Sequence, residues 1–248
     1  MALLLHAQGI SKDFGGVRAL NYVDIGVAPM ETVGLIGPNG AGKTTLFNVI
    51  CGLPPTAGRV FFKGVDITGL PPHRICRRGI ARTFQLTRPF GDLSVQDNVA
   101  AAVLFGRNRG TTARIGPARD AADRILSWVK LDGRRDALAR DLLFSERRRL
   151  ELARALATGP ELLCLDEAMA GLTVEEAGEL VEILRRLRQE LGLSLLVIEH
   201  VMKVVMAICD RIVVLNHGSK LAEGTPQEVG SHPEVIAAYL GVDGALGT

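Results

Sequence analysis

The sequence is poor in cysteine and has no arrangement of cysteines typical of a disulfide framework or a metal site. Its four cysteines are scattered, with no CxxC pair and no histidine at metal-ligand spacing (Cys51, Cys76, Cys164, Cys209). Isolated thiols of this kind are typical of a reducing compartment. We therefore expect them to be ordinary core or surface residues.

Long apolar runs are also missing. The longest candidate, residues 193–198, is strand-sized, whereas a bilayer-spanning helix needs roughly 20 apolar residues. The N-terminal stretch MALLLHAQGISKDF has no basic region and no small-residue cleavage site, which argues against a signal peptide. Any membrane role is thus expected to depend on a partner.

Charge of one sign is not in excess. The formal net charge is +2, which gives no reason to expect nucleic acid as a partner. The arginines of residues 134–154 are interrupted by Glu146 and Glu151, and a solvated helix face is the simpler interpretation. With 248 residues, 47% of them hydrophobic, the chain suits one large α/β domain or one domain with an insertion.

The first part of the chain predicts strands around a glycine loop. Residues 3–35 alternate short apolar stretches with turns, which predicts an N-terminal antiparallel β lobe. Residues 33–36 form a short apolar strand that leads into a glycine-rich loop and an apolar-periodic helix. The prolines at 54–55 end that helix, and residues 59–67 predict one returning strand.

The rest of the chain predicts a helical insertion followed by alternating strands and helices. Residues 86–158 are interpreted as an inserted helical subdomain within a single domain, 1–248. The predicted elements around and after it are a helix at 119–130, a strand at 162–165, a helix at 174–191, a strand at 194–198 and a hairpin at 211–225. Helices that alternate with buried strands predict an α/β fold with a mostly parallel sheet covered on both faces.

The most specific pattern is the G-x4-G-K-[ST] phosphate loop. Its residues are Gly37, Pro38, Asn39, Gly40, Ala41, Gly42, Lys43, Thr44 and Thr45. Glycines allow backbone N–H groups to turn inward and cradle phosphates, and the following helix points its positive end at them. Lys43 would reach the β- and γ-phosphates, and the Thr44 hydroxyl would bind Mg²⁺. An accidental match is expected in only about 1% of chains of this length, so the loop predicts ATP binding.

A second pattern is an apolar strand, residues 162–165, that ends in Asp166 and Glu167. The first carboxylate would lie beside Mg²⁺, and the second could polarise a water molecule. Many buried strands end in a carboxylate, so the pattern means little alone. Its position well after a phosphate loop makes it informative.

Taken together, these motifs resemble those of ABC-family ATPases over essentially the whole chain. The resemblance implies a RecA-like core and gives roles to three further residues. Phe14 would stack on adenine, Gln85 would sense Mg²⁺ and γ-phosphate, and His200 would bind the γ-phosphate. Residues 170–172 occupy the place of the family's D-loop. Without the resemblance, these would be ordinary structural positions.

One element departs from the family pattern. The family signature LSGGQ opens a helix, here expected from residue 147, but the preceding residues are Leu142, Leu143, Phe144, Ser145 and Glu146. Without gaps, Leu143 replaces the signature serine and Ser145 the second glycine; a gapped alignment would make Ser145 the serine and delete both glycines. We prefer the ungapped alignment, because a deletion would shorten the chain just before the helix, where the helix N-terminus must be directed at the nucleotide. Loss of one preorganised donor can cost on the order of 10²–10³ in rate.

Several short stretches of sequence resemble one subgroup of the family, the G-type ATPase of branched-chain amino acid importers. The ATPases of urea and short-chain amide importers are close relatives of that subgroup. The stretches include FGGVRAL (14–20), GIARTFQ (79–85), LSVQDNV (93–99) and HPEVIAAYLG (232–241). The resemblance implies a second ATPase subunit, a paralogue, that binds head to tail, two integral-membrane permeases and a periplasmic binding protein. It places the chain in the cytoplasm, on the inner face of the cell membrane.

Two other functions have some support or precedent in the family. The altered signature favours an ATP-sensing subunit that hydrolyses ATP weakly. The family's other catalytic residues are present and favour an ATPase that drives transport: Lys43, Asp166, Glu167 and His200. A soluble ABC factor acting on ribosomes or DNA would need tandem ATPase domains, or a coiled-coil or zinc insertion, which 248 residues do not contain.

Overall fold

The computed structural model describes residues 2–83, 88–107 and 114–243. Its strands are β1 (Leu5–Phe14), β2 (Val17–Val27), β3 (Thr32–Ile36), β4 (Ala57–Phe62), β5 (Val65–Asp66), β6 (Ile80–Arg82), β7 (Leu162–Asp166), β8 (Ser194–Ile198), β9 (Arg211–Asn216) and β10 (Ser219–Gly224). Its α-helices are α1 (Lys43–Ile50), α2 (Pro72–Arg78), α3 (Val95–Phe105), α4 (Ile115–Trp128), α5 (Phe144–Ala157), α6 (Val174–Leu191), α7 (Met202–Ile208), α8 (Pro226–Gly230) and α9 (Pro233–Asp243).

The chain divides into two compact units. The first comprises residues 1–72 and 194–248, and the second comprises residues 73–193. The second unit includes the predicted helical insertion but is longer than it, because it also contains strands β6 and β7 and helix α6.

The first unit contains two sheets of different character. In one, β1 pairs antiparallel with β2 and β4, and β4 pairs with β5. In the other, β3 lies parallel to β8 and β9, and β10 closes the edge antiparallel to β9. Every residue of β3 and β8 is buried, as expected for parallel strands covered on both faces. The predicted antiparallel lobe and mostly parallel core are confirmed.

One strand prediction is wrong in detail. Residues 59–67 were expected to form one strand, but the chain turns at Lys63 and Gly64, and Phe62 pairs with Val65 across the turn. Both turn residues have left-handed backbone, with φ of 54° and 74°. Two consecutive positive φ values define the tight turn that matches the twist of paired strands. Lysine is unusual in that conformation, so the turn is hard to predict from the residues alone.

The second unit joins a short parallel ladder to a group of helices. Strand β6 pairs in parallel with β7, and helices α3, α4 and α5 pack on one another. Helix α6 buries Leu180, Leu184 and Leu187 on one face, the spacing of an amphipathic helix. Thr173 caps its start together with Glu176, whose carboxylate accepts the Thr173 N–H at 2.9 Å. Among the described residues, no helix has both the length and the apolarity that a bilayer crossing requires.

Candidate nucleotide site

The phosphate loop connects β3 to α1 in the first unit, as predicted. Gly37 begins it with φ of +150°, and a Cβ there would lie 2.1 Å from the carbonyl oxygen of Leu215. The backbone at this point therefore accepts only glycine. The last loop residue, Gly42, is left-handed and caps α1, whose first-turn N–H groups have no partner within the helix and face an incoming anion.

Lys43 is held over this loop. Its Nζ donates to the carbonyl oxygens of Gly37 at 2.6 Å and Pro38 at 2.9 Å, and the residue is only 6% exposed. These two bonds hold the ammonium group at the phosphate loop, where it is positioned to bind a phosphate oxygen. Thr44, the next residue of α1, is exposed, so its hydroxyl is accessible to a ligand.

Two further predicted residues lie in the first unit. Phe14 is the last residue of β1, beside the Gly15–Gly16 turn, and is 49% exposed. An aromatic ring left open at a hairpin end is available for stacking, although the Nζ of Lys12 lies 5.2 Å from its centroid. His200 follows β8 and the buried Glu199, and is exposed. Exposure at a strand end is the placement that contact with a ligand requires.

The carboxylates Asp166 and Glu167 lie at the end of β7 in the second unit. Asp166 is 5% exposed, and its Oδ2 accepts the Arg82 Nη2–H at 2.6 Å. The Asp166 N–H also donates to the Thr83 hydroxyl at 3.3 Å. The Arg82 guanidinium pairs with this buried carboxylate and orients it. Sequence reasoning missed Arg82, because nothing in the sequence links residues that are 84 positions apart.

Glu167 has an unusual backbone. Its φ is +50°, a left-handed value that is uncommon for residues other than glycine. The chain turns sharply after it, since the Ala170 N–H donates to the Glu167 carbonyl oxygen at 3.1 Å. The turn leads directly to Gly171, in the segment identified above with the D-loop. Strained backbone of this kind is frequent at functional sites.

Helix α5, to which the family resemblance assigns the signature, begins three residues earlier than expected. It starts at Phe144 instead of residue 147, with Leu143 as its N-cap. Leucine has no side-chain acceptor, but Glu146 Oε2 accepts the Leu143 N–H at 2.9 Å, which is half of a capping box. The sequence contained this signal, since a glutamate lies three positions after the cap. Leu143 is 69% exposed.

The structure thus places the predicted residues in two groups. The phosphate loop, Phe14 and His200 lie in the first unit, and Asp166, Glu167 and the signature segment lie in the second. Gln85 lies outside the described residues. Carboxylate and hydroxyl oxygens such as those of Asp166 and Thr44 are the ligands that Mg²⁺ prefers, so the chemistry of these residues fits this ion.

Comparisons with known proteins identify the family of this chain. A model of the ABC transporter family matches residues 20–170, and one of the branched-chain amino acid ATP-binding cassette transporter matches residues 219–245. The chain therefore belongs to the ABC transporter ATP-binding family, whose members are ATPases coupled to transport.

Among individual relatives, the chain is 41% identical to the high-affinity branched-chain amino acid transport ATP-binding protein LivG of Escherichia coli K12, over 96% of this chain and 98% of LivG. It is also 41% identical to BraF of Pseudomonas aeruginosa, with the same coverage. A solved structure of the ADP conformation of an ATP-binding cassette of an ABC transporter superimposes with a TM-score of 0.85 at 30% identity, covering 97% of this chain and all of that one.

Proposed function

We propose that this chain binds and hydrolyses ATP to power a membrane importer of branched-chain or related amino acids, with urea or amides as the nearest other solutes. The observation that carries the proposal is Lys43, held inside a glycine loop whose first position excludes any side chain. The match of residues 219–245 to the branched-chain amino acid transporter family favours amino acids as the solute.

The residues then divide the work of hydrolysis. The loop from Gly37 to Thr45 binds the phosphates, and Phe14 stacks on the adenine. Thr44, Asp166 and Gln85 hold Mg²⁺, which neutralises phosphate charge when bound. Glu167 accepts a proton from the attacking water, and His200 hydrogen-bonds the γ-phosphate. The partners are a paralogous second ATPase and two permeases, served indirectly by a periplasmic binding protein, at the cytoplasmic face of the membrane.

The test is MgATP hydrolysis by the purified chain, alone and mixed with the second ATPase subunit of its importer. Because each site in such a pair combines one subunit's phosphate loop with the other's signature, we expect negligible turnover alone and clear turnover on mixing. A chain that binds ATP but never turns it over, even in the complete transporter, would contradict the motor.

A second candidate is an ATP-sensing subunit that hydrolyses weakly. Leu143, at the cap of α5, offers no hydroxyl, and Ser145 adds bulk where the family has glycine. In a heterodimer this affects only the site that uses this chain's signature, so the site built on Lys43 and Glu167 stays active. In a homodimer both sites would carry the change, and the sensor would be favoured.

The effect of the altered signature can be tested by restoring the family's serine and glycine. We expect Leu143→Ser combined with Ser145→Gly to raise hydrolysis at the second subunit's site by about 10- to 100-fold, because the signature donor returns. The measurement mixes that subunit with this chain carrying Glu167→Gln, so that only the second subunit's site turns over. Leu143→Ala is the matched control, since it removes the leucine without adding a hydroxyl. Equal rates for the restored and alanine variants would refute the assigned defect.

A further inference from the structure

Phe144, in the first turn of α5, lies against the backbone of Gly171. A Cβ on Gly171 would lie 3.0 Å from Cε1 and 3.1 Å from Cζ of the Phe144 ring, and Gly171 has φ of +81°. Phe144 is nevertheless 50% exposed. The ring therefore does not fill the core; it rests on a glycine whose backbone conformation and lack of a side chain allow the contact.

Arg148, one turn further along α5, contacts both the Phe144 ring and the backbone next to Gly171. Its guanidinium carbon lies 5.1 Å from the centroid of Phe144, and its Nη2 donates to the carbonyl oxygen of Ala170 at 3.4 Å. The residue is 8% exposed, and its Nη1 lies 3.9 Å from Glu151 Oε2. A buried guanidinium with a nearby carboxylate has little freedom, so it fixes the ring and the Ala170 carbonyl relative to each other.

Neighbouring contacts join the same two segments. Arg149 of α5 pairs through its Nη2 with the carboxylate of Glu179. The pKa of Glu176 is lowered, first by the Thr173 backbone and then by Ser145. Glu176 and Glu179 both belong to α6, which begins three residues after Gly171. The first turns of α5 therefore contact the chain both before Gly171, at Ala170, and after it, in α6.

The contacts continue to Glu167. Arg148 bonds Ala170, and Ala170 in turn donates its N–H to the Glu167 carbonyl oxygen. Glu167 is left-handed, with φ of +50°, and such a conformation persists only where the surroundings hold it. The contacts from Phe144 through Arg148 and Ala170 are the part of those surroundings that comes from the signature helix.

We propose that Phe144 and Arg148 clamp the segment from Glu167 to Gly171 and thereby position Glu167, so that both are positioning residues for hydrolysis at this chain's own site. The inference rests on the proposed function, in which the start of α5 completes the ATP site of the other subunit. The clamp would then connect the occupancy of that site to the general base of this one.

The kinetic test isolates the Glu167 site. The chain is mixed with the second ATPase subunit, whose own catalytic glutamate is replaced by glutamine, so that Glu167 carries all turnover. That site uses the other subunit's signature, and Phe144 acts on it only through the clamp. We expect Phe144→Leu to lower kcat by about tenfold with little change in KM for ATP, and Phe144→Tyr to keep near wild-type kcat.

Phe105→Leu is the matched control, because Phe105 is an exposed phenylalanine, 77% accessible, in the same unit. It is expected to change neither kcat nor KM. If Phe144→Leu leaves kcat unchanged, or raises KM without lowering kcat, Phe144 does not position Glu167 and the proposal is overturned.

Amide hydrogen exchange tests the clamp without any hydrolysis. In the full chain, Phe144→Leu is expected to speed exchange of the Ala170 and Leu172 amides about tenfold, while Phe105→Leu leaves them unchanged. Unchanged exchange in Phe144→Leu would overturn the clamp even if the pair hydrolyses ATP. If the wild-type pair does not hydrolyse ATP, the proposed function fails separately, and the exchange rates still decide whether the clamp exists.

Discussion

Replacing Glu167 with glutamine is expected to slow ATP hydrolysis by about 10²- to 10⁴-fold, the usual contribution of a general base. Glutamine has nearly the same shape, so the left-handed backbone at this position, with φ of +50°, need not change. What is lost is the carboxylate that, in the proposed function, accepts a proton from water. ATP binding is expected to remain, because the phosphate loop from Gly37 to Thr45 is intact.

The measurement compares steady-state hydrolysis with the binding of a fluorescent ATP analogue, using the chain mixed with its second ATPase subunit. That subunit carries the equivalent glutamine, so that only the Glu167 site is observed. Glu175→Gln is the matched control, since it removes the same charge from an exposed glutamate in the first turn of α6. Turnover that persists in Glu167→Gln would mean that another group activates the water.

The parts of the candidate site whose place in the fold was predictable from the sequence are those made by consecutive residues. A strand, a glycine loop and a helix N-terminus follow one another from Thr32 to Ile50, so local rules suffice to place Lys43. The same holds for Asp166 and Glu167, at the end of a buried strand. The overall α/β class followed for a similar reason, because buried strands that alternate with helices permit few arrangements.

The features that the sequence did not predict depend on partners distant in the chain or on unusual backbone. Arg82 is recognisable only after β6 and β7 are paired, because that pairing brings it to Asp166. The ring of Phe144 on Gly171 likewise requires the tertiary structure. The turn at Lys63 was missed because lysine rarely adopts a positive φ.

The structure also refines what the unusual signature means. With α5 beginning at Phe144, the ungapped alignment puts Leu143 at the N-cap, where serine could have accepted a backbone N–H. Glu146 compensates for part of that loss by accepting the Leu143 N–H. The helix start is therefore preserved even though Leu143 supplies no hydroxyl.

Replacing Lys43 with alanine is expected to weaken ATP binding by about 100-fold, through loss of a charge-assisted bond to phosphate. The same change removes the donor that joins the Gly37 and Pro38 carbonyl oxygens, so the empty loop would also lose its internal brace. Binding is followed by the thermal stabilisation that ATP confers. At an ATP concentration 100 times the wild-type Kd, stabilisation is about 2.7 kcal/mol, and a 100-fold weaker variant retains about 0.4 kcal/mol.

For a chain of this size, those values correspond to an increase in Tm of about 5–10 °C for wild type and about 1 °C for Lys43→Ala. Lys220→Ala is the control, because it removes a surface lysine of the same unit whose ion pair with Glu223 contributes little. Measuring Tm without ATP separates a folding defect from a binding defect. A Lys43→Ala variant that ATP stabilises as strongly as wild type would show that the phosphates are held elsewhere, and the assignment of this loop would have to be abandoned.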